Sequence, residues 1–231
     1  MKNILLIGGS YGIGRTLAEM LSAHSRVIVA SRTWEGVLPP NISYVKFDAS
    51  TDKLDPAVLP ERLDGFAYLP GSINLKPFRS LQEKDFEDAL RLNFTNMVAI
   101  LQTVLPRLAA SDAASVVLFS SVAVAQGMPF HTAVAAAKGA VEGFALALAA
   151  EVAPKIRVNV IAPSLTDSPL AQKFLDSDAK RERSATRHPM QRFGQTRDVA
   201  DAAAFLLGDR SLWMTGQVLR PDGGLSTLRT T

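Results

Sequence analysis

The feature that most narrows the fold of this chain lies at its start. An apolar run, Asn3-Ile4-Leu5-Leu6-Ile7, passes straight into Gly8-Gly9-Ser10-Tyr11-Gly12-Ile13-Gly14, and helical spacing continues at Leu17, Met20 and Leu21. A strand that turns through glycines into a helix brings backbone N–H groups and a helix N-terminus to one place. Negative charge is stabilised there, and a pyrophosphate fits the turn. Gly8, Gly12 and Gly14 set a Gly-x-x-x-Gly-x-Gly spacing, one residue wider at the front than the commoner pattern. The loop Gly8, Ser10, Tyr11, Gly12, Ile13 and Gly14 is therefore assigned to a nucleotide, the alternative being a turn without a ligand.

The rest of the chain extends the same architecture. Short apolar runs rich in Val and Ile occur at 3–7, 26–30, 43–47, 65–69, 115–120, 156–161 and 217–220, separated by helical patterns. Alternation of this kind predicts a doubly wound parallel sheet of about seven strands with helices on both faces, in a single domain spanning 1–231. Two successive helices are expected over 85–92 and 98–108, and a long alanine-rich one over 132–153, stopped by Pro154. Lys138, Glu142 and Glu151 interrupt that last stretch, which favours a packed helix over a membrane span. The stretch 164–191, rich in charge and carrying Pro169 and Pro189, departs from the pattern. Lying beyond a strand end, it reads as a substrate loop or lid, or equally as a surface helix pair.

Composition closes several other routes. The 231 residues contain no cysteine, so disulfides, thiolate metal sites and cysteine nucleophiles are excluded. Three widely separated histidines, His24, His131 and His188, give no metal-ligand spacing, and no metal is expected. A net charge of +3 and a basic stretch, Lys180-Arg181-Glu182-Arg183, broken by an acid, give no nucleic-acid patch. The apolar N-terminus is too short for a signal peptide, so a cytoplasmic location is expected.

The end of the second strand chooses between nucleotides. Ser31-Arg32 places an arginine where a carboxylate would bind the ribose 2′-hydroxyl of NAD. An arginine pairs instead with a 2′-phosphate, so NADP(H) is favoured over NAD(H). Asp48, at the end of the third strand, is placed to reach an adenine amino group, or to cap a turn.

With these residues in place, the sequence resembles the short-chain dehydrogenase/reductase family nearly end to end. The resemblance rests on Gly8-x-x-x-Gly12-Ile13-Gly14, Asp48, Pro70-Gly71, Asn93, Ser120-Ser121, Lys138-Gly139-Ala140 and Arg157 through Pro163. Arg192-Phe193-Gly194, Thr215-Gly216-Gln217 and Asp222-Gly223-Gly224 continue it. It implies cofactor contacts from Ala49, Gly71, Lys138, Pro163 and Thr166, and a homo-oligomer, dimer or tetramer. The family uses Ser, Tyr and Lys with a supporting Asn, which map here onto Ser121, Lys138 and Asn93. The Tyr lies one helical turn before the Lys in the family, and that position is Val134 in this chain. Pro163-Ser164 likewise stands where the family usually has Pro-Gly, and Tyr68-Leu69-Pro70-Gly71 where it often has Asn-Asn-Ala-Gly.

Valine cannot give a proton to a substrate oxygen, and positioned acid catalysis is worth roughly 10²–10⁴-fold. His131, two helical turns before Lys138 on roughly the same face, is the leading replacement; the other reading is a helix-start histidine without a chemical task. Tyr68 could enter the pocket, but its apolar neighbours favour the core. Two functions are compatible with these residues. One is an NADP(H)-dependent oxidoreductase moving hydride between nicotinamide and a small carbonyl or conjugated enone, using Ser121, His131, Lys138 and Asn93. The other is a non-catalytic NADP(H)-binding sensor or scaffold.

Overall fold

The computed structural model describes residues 1–229, and in it the apolar runs become a single twisted sheet. The N-terminal run forms β1 (Lys2–Ile7), the glycine loop opens α1 (Gly12–Ser22), and β2 (Ser25–Ser31) and β3 (Ile42–Lys46) come next. Then come β4 (Gly65–Tyr68), α2 (Glu83–Leu90), a π turn at Arg91–Thr95 and α3 (Asn96–Ala109). The second half holds β5 (Ala114–Phe119), α4 (Thr132–Val152), β6 (Ile156–Ile161), β7 (Thr166–Asp167) and α5 (Asp178–Thr186). The chain finishes through β8 (Gly194–Gln195), α6 (Thr196–Leu207) and β9 (Val218–Leu219).

Seven strands pair in parallel in the order β3-β2-β1-β4-β5-β6-β9, which is the doubly wound fold that the alternation predicts. Alternate residues of each strand serve opposite layers. Leu5 and Ile7 face a core built with Met97, Ile100, Val104, Val141 and Ala145 of α3 and α4. Ile4 and Leu6 face the other layer, with Leu17 of α1 and Val199, Ala203 and Leu206 of α6. Helix α4 is long and apolar enough to cross a membrane by length and composition alone. Here Ala137, Val141, Ala145 and Ala149 are buried.

Three expectations change in detail. The last strand pairs only over Val218–Leu219, where the sequence suggested 217–220. No helix joins β2 to β3; the connection is a loop containing Pro39 and Pro40, too short and proline-broken to form one. The two helices expected near 85–108 are joined by the π turn into one nearly continuous rod. The stretch 164–191 contains β7, a 3₁₀ turn at Pro169–Phe174 and α5.

Candidate functional site

The strand order reverses between β1 and β4, and ligands of open α/β sheets sit outside the strand ends at that point. An open cleft lies there. Gly8, Ser10, Tyr11, Gly12, Ile13, Gly14, Ser31, Arg32, Asp48, Ala49 and Gly71, all assigned to the cofactor from sequence, line it together. Gly8 sits at φ +84° and Gly12 at φ +55°, a region side chains avoid. At Gly14 a Cβ would lie 2.3 Å from the Gly8 carbonyl oxygen, so only glycine lets α1 begin so close to the turn. Bare backbone facing a helix N-terminus is the surface a pyrophosphate needs, and these residues fit one.

At the β2 end, Arg32 is exposed and makes no hydrogen bond or ion pair among the described residues. Behind it the Arg15 guanidinium lies 3.9 Å from the centre of the Trp34 ring. Asp48 accepts from the Ser50 hydroxyl at 2.5 Å and from the Ser50 amide at 2.9 Å. Those two bonds, with a smaller contribution from the Arg32 charge, hold its carboxyl below the usual carboxylate range. Asp48 thus builds the turn after β3 while remaining on the cleft wall.

Gly71 joins the cleft lining to two of the groups expected to do chemistry, while Asn93, Ser121, His131 and Lys138 do not themselves line it. A Cβ on Gly71 would lie 3.1 Å from Asn93 Oδ1 and 3.5 Å from Lys138 Nζ, so three separate elements converge on that glycine. Asn93 is 1% exposed. Its Nδ2 donates to the Ala89 carbonyl at 2.8 Å and to the Ser72 hydroxyl at 3.3 Å, while Oδ1 is buried with no partner. An unpaired buried acceptor beside a lysine is a place for a water or a ligand group. Lys138 Nζ donates to the Phe119 carbonyl at 2.8 Å, and burial pulls its pKa down to about 8.

Ser120 gives its hydroxyl hydrogen to Glu142 at 2.6 Å and so is occupied. Ser121 Oγ accepts from the Ala123 amide at 3.2 Å, which leaves its own hydrogen available to a substrate oxygen. Val134 is buried one turn before Lys138. His131 precedes α4 half-exposed, and its Nδ1 meets the Pro129 carbonyl at 2.7 Å, so Nε2 is the nitrogen left open. Tyr68 is a core residue: it is 2% exposed and its hydroxyl donates to the Leu92 carbonyl at 2.7 Å.

Pro163 and Thr166 do not line the cleft. The Pro163 carbonyl accepts from Val122 N at 3.2 Å, and Thr166 pairs with Gly194 and gives its hydroxyl to the Ser164 carbonyl at 2.9 Å. The lining also includes Leu92 near Asn93, and Ser168 and Leu170 from the stretch after β6. A Cβ on Gly12 would touch Ser168 and Pro169 at 3.5 Å, so this stretch lies across the glycine loop. Ser168 and Leu170 carry no motif, and only the folding back of the stretch places them there.

Comparison with known proteins agrees with this fold. The family model described as enoyl-(acyl carrier protein) reductase matches residues 48–226. The chain is 29% identical over 244 residues to a 2,5-dichloro-2,5-cyclohexadiene-1,4-diol dehydrogenase of Sphingobium indicum, covering 98% of both proteins. Ligand-free aldohexose dehydrogenase of Thermoplasma acidophilum superposes with a TM-score of 0.88 at 26% identity, over 100% of this chain and 97% of that one. A tyrosine-to-phenylalanine variant of ElxO with NADPH bound gives a TM-score of 0.88 at 27% identity, over 98% and 99%.

Proposed function

The chain belongs to the short-chain dehydrogenase/reductase family of oxidoreductases, and from that premise we propose that it is an NADP(H)-dependent enzyme acting on a small carbonyl or conjugated enone. The observation that carries this reading is the meeting of Lys138 Nζ and Asn93 Oδ1 at Gly71, which shares the lining of one cleft with the glycine loop. When bound, the nicotinamide supplies or accepts hydride. Gly8, Gly12 and Gly14 would cradle its pyrophosphate, and Arg32 its 2′-phosphate. Lys138 would hold the adjoining ribose, with Ala49 on the cleft wall completing the nucleotide's surroundings. Ser121 donates to the substrate oxygen, and His131 protonates or polarises it through Nε2. Asn93 Oδ1 anchors the water that passes protons to Lys138. The stretch 164–191 serves as the lid, its Ser168 and Leu170 already against the cleft.

Oxidation of NADPH in the presence of a panel of ketones, diketones, quinones and enones, with NADH alongside, tests the reading. Turnover that is lost in Lys138→Ala and His131→Ala supports the assigned roles, and unchanged turnover in both variants overturns them. Arg32→Ala tests the nucleotide choice. A charge-assisted hydrogen bond is worth about 1.5–3 kcal/mol, so NADPH affinity should fall at least tenfold while NADH affinity holds.

A second reading, a nucleotide-binding sensor without turnover, is favoured by one observation: the position beside Lys138 is the buried, apolar Val134. Tight NADPH binding with silence across the panel would select it. Self-association is part of the proposal in either case. Leu146, Leu212 and Trp213 are exposed, Trp213 fully, and Leu146 lies 3.5 Å from where a Gly216 side chain would begin.

A further inference from the structure

Ser164 and His188 stand at the two ends of the stretch after β6, and neither has a part in the site as described. Ser164 Oγ meets His188 Nε2 at 2.8 Å, and His188 Nδ1 meets the Ser184 carbonyl at 2.7 Å. His188 is 3% exposed, so both ring nitrogens are committed to these two partners. A carbonyl only accepts, so Nδ1 carries a hydrogen. In the neutral ring Nε2 is then the acceptor, and Ser164 is the donor. The Ser164 hydroxyl makes no other hydrogen bond among the described residues, so it faces any ligand as an acceptor. Once the ring takes a second proton the bond reverses, and Ser164 is free to donate.

The position of this hydroxyl matters as much as its polarity. Ser120 N bonds the Ile161 carbonyl at 2.8 Å and Val122 N bonds the Pro163 carbonyl at 3.2 Å, which carries the parallel register on to Ser121 opposite Pro163, with Ser164 the next residue beyond the strand ends. Ligands of this sheet type bind across those ends. An acceptor whose hydrogen already lies on an imidazole oriented by a third group has the geometry of a base-activated hydroxyl.

We propose that Ser164 and His188 form a proton-carrying pair for the substrate oxygen. In alcohol oxidation the substrate O–H proton passes to Ser164 Oγ while the Ser164 hydrogen passes to His188 Nε2. The C–H electron pair leaves as hydride to the oxidised nicotinamide nucleotide, and an oxygen lone pair closes the C=O bond. Reduction runs the same transfers backwards. His188 ends as an imidazolium with its Nδ1–H still on Ser184. The charged group facing it is Asp222, whose neighbour Gly223 packs on the ring: a Cβ there would lie 3.6 Å from His188 Cδ2. Arg187, next in the chain, is exposed, and Asp167 and Arg181 are spent on each other at 2.6 Å. This inference rests on the oxidoreductase reading and leaves His131 the polarising half of its role.

Ser164→Ala, Ser164→Thr and His188→Gln in the full chain test it, with NADP⁺ and cyclohexanol, isopropanol or sorbitol as the alcohol. Ser164→Ala and His188→Gln should lose about 100-fold in kcat with little change in KM, within the range of acid–base catalysis. They should also change the shape of the pH profile of oxidation, because no hydroxyl remains with an imidazole to pass its hydrogen to. Ser164→Thr keeps the hydroxyl and should retain both the kcat and the profile. A mere latch between the ends of the stretch would lower Tm and leave the profile alone, and that result overturns the pair. Nitrogen NMR of the free protein gives a reading independent of turnover, since the chain has three histidines and His188→Gln identifies the signal. A hydrogen on Nδ1 is expected, and one on Nε2 in the neutral ring refutes the pair. Should the wild type oxidise no alcohol and reduce no carbonyl, the oxidoreductase reading falls and takes the pair's catalytic role with it. An active wild type with unaltered Ser164 and His188 variants sinks the pair alone.

Discussion

Lys138 carries a cost that reveals its task. Its ammonium is buried without a carboxylate partner, and desolvation brings its pKa to about 8 from an ordinary 10.5. The folded chain therefore holds that proton less tightly than the unfolded chain. Stability from this group is lowest below about pH 8, rises with pH between the two values and is constant above 10.5. The shift corresponds to a penalty on the order of 3 kcal/mol at neutral pH. Lys138→Met, at the expense of about 1 kcal/mol for the orphaned Phe119 carbonyl, should raise the Tm of the nucleotide-free protein at pH 7 while weakening NADPH binding. A lower Tm with unchanged binding would show that the lysine is structural. Gly14 makes the opposite case. Gly14→Ala drives a Cβ to 2.3 Å from the Gly8 oxygen, so it should cost several kcal/mol in chemical denaturation and abolish NADPH binding. Both positions stand out in the sequence, one by its glycine spacing and one by its place in a small-residue helix. Their energies do not, because desolvation and close approach depend on how the chain packs around them.

At the scale of elements, the π turn between α2 and α3 is what the sequence concealed. Asp85 to Leu108 reads as two helices, yet the rod is nearly continuous and widens at Arg91–Thr95 around Asn93. One inserted residue shifts the facing of every later position. It lets Asn93 bury its amide against the Ala89 carbonyl and point Oδ1 at Gly71. Hydrophobic spacing cannot report it, since the apolar stripe resumes on the far side. Asn93→Ala removes the donor to a buried carbonyl and should cost about 1–3 kcal/mol in urea denaturation, with kcat falling more than KM rises. Equal loss of both would place Asn93 in binding alone. The strands, by contrast, were legible to within a residue or two, because short Val- and Ile-rich runs bounded by turn residues mark buried strands directly. β9 shortened most, since one neighbouring strand holds it, and β4 lost one residue.

For the whole molecule, the sheet order places the nucleotide cleft at the one reversal, and the stretch after β6 folds back over it. Ser168 and Leu170 then lie on the cleft wall, and Ser168 and Pro169 pack near Gly12 of the glycine loop. Hydrogen exchange across residues 165–175 should slow when NADPH is added, with little change in β3 or α3. Exchange in that stretch that is indifferent to NADPH would show that it is not a lid. Its charged composition was visible beforehand, but its docking was not: Arg181 must find Asp167, and His188 must find Ser164, before the stretch has a shape.

The sequence by itself determined the strand–glycine–helix opening, the parallel doubly wound sheet, the arginine at the second strand end and the valine one turn before Lys138. Each of these is local: a period, a spacing or a residue type acting within a few positions. The tertiary structure alone decided that Gly71, Asn93 and Lys138 meet, that Tyr68 belongs to the core, and that Ser164 and His188 share a hydrogen bond. Those contacts join residues 22 to 67 positions apart. Such pairings are fixed by which strands lie side by side and how each helix turns on the sheet, and no local pattern encodes that.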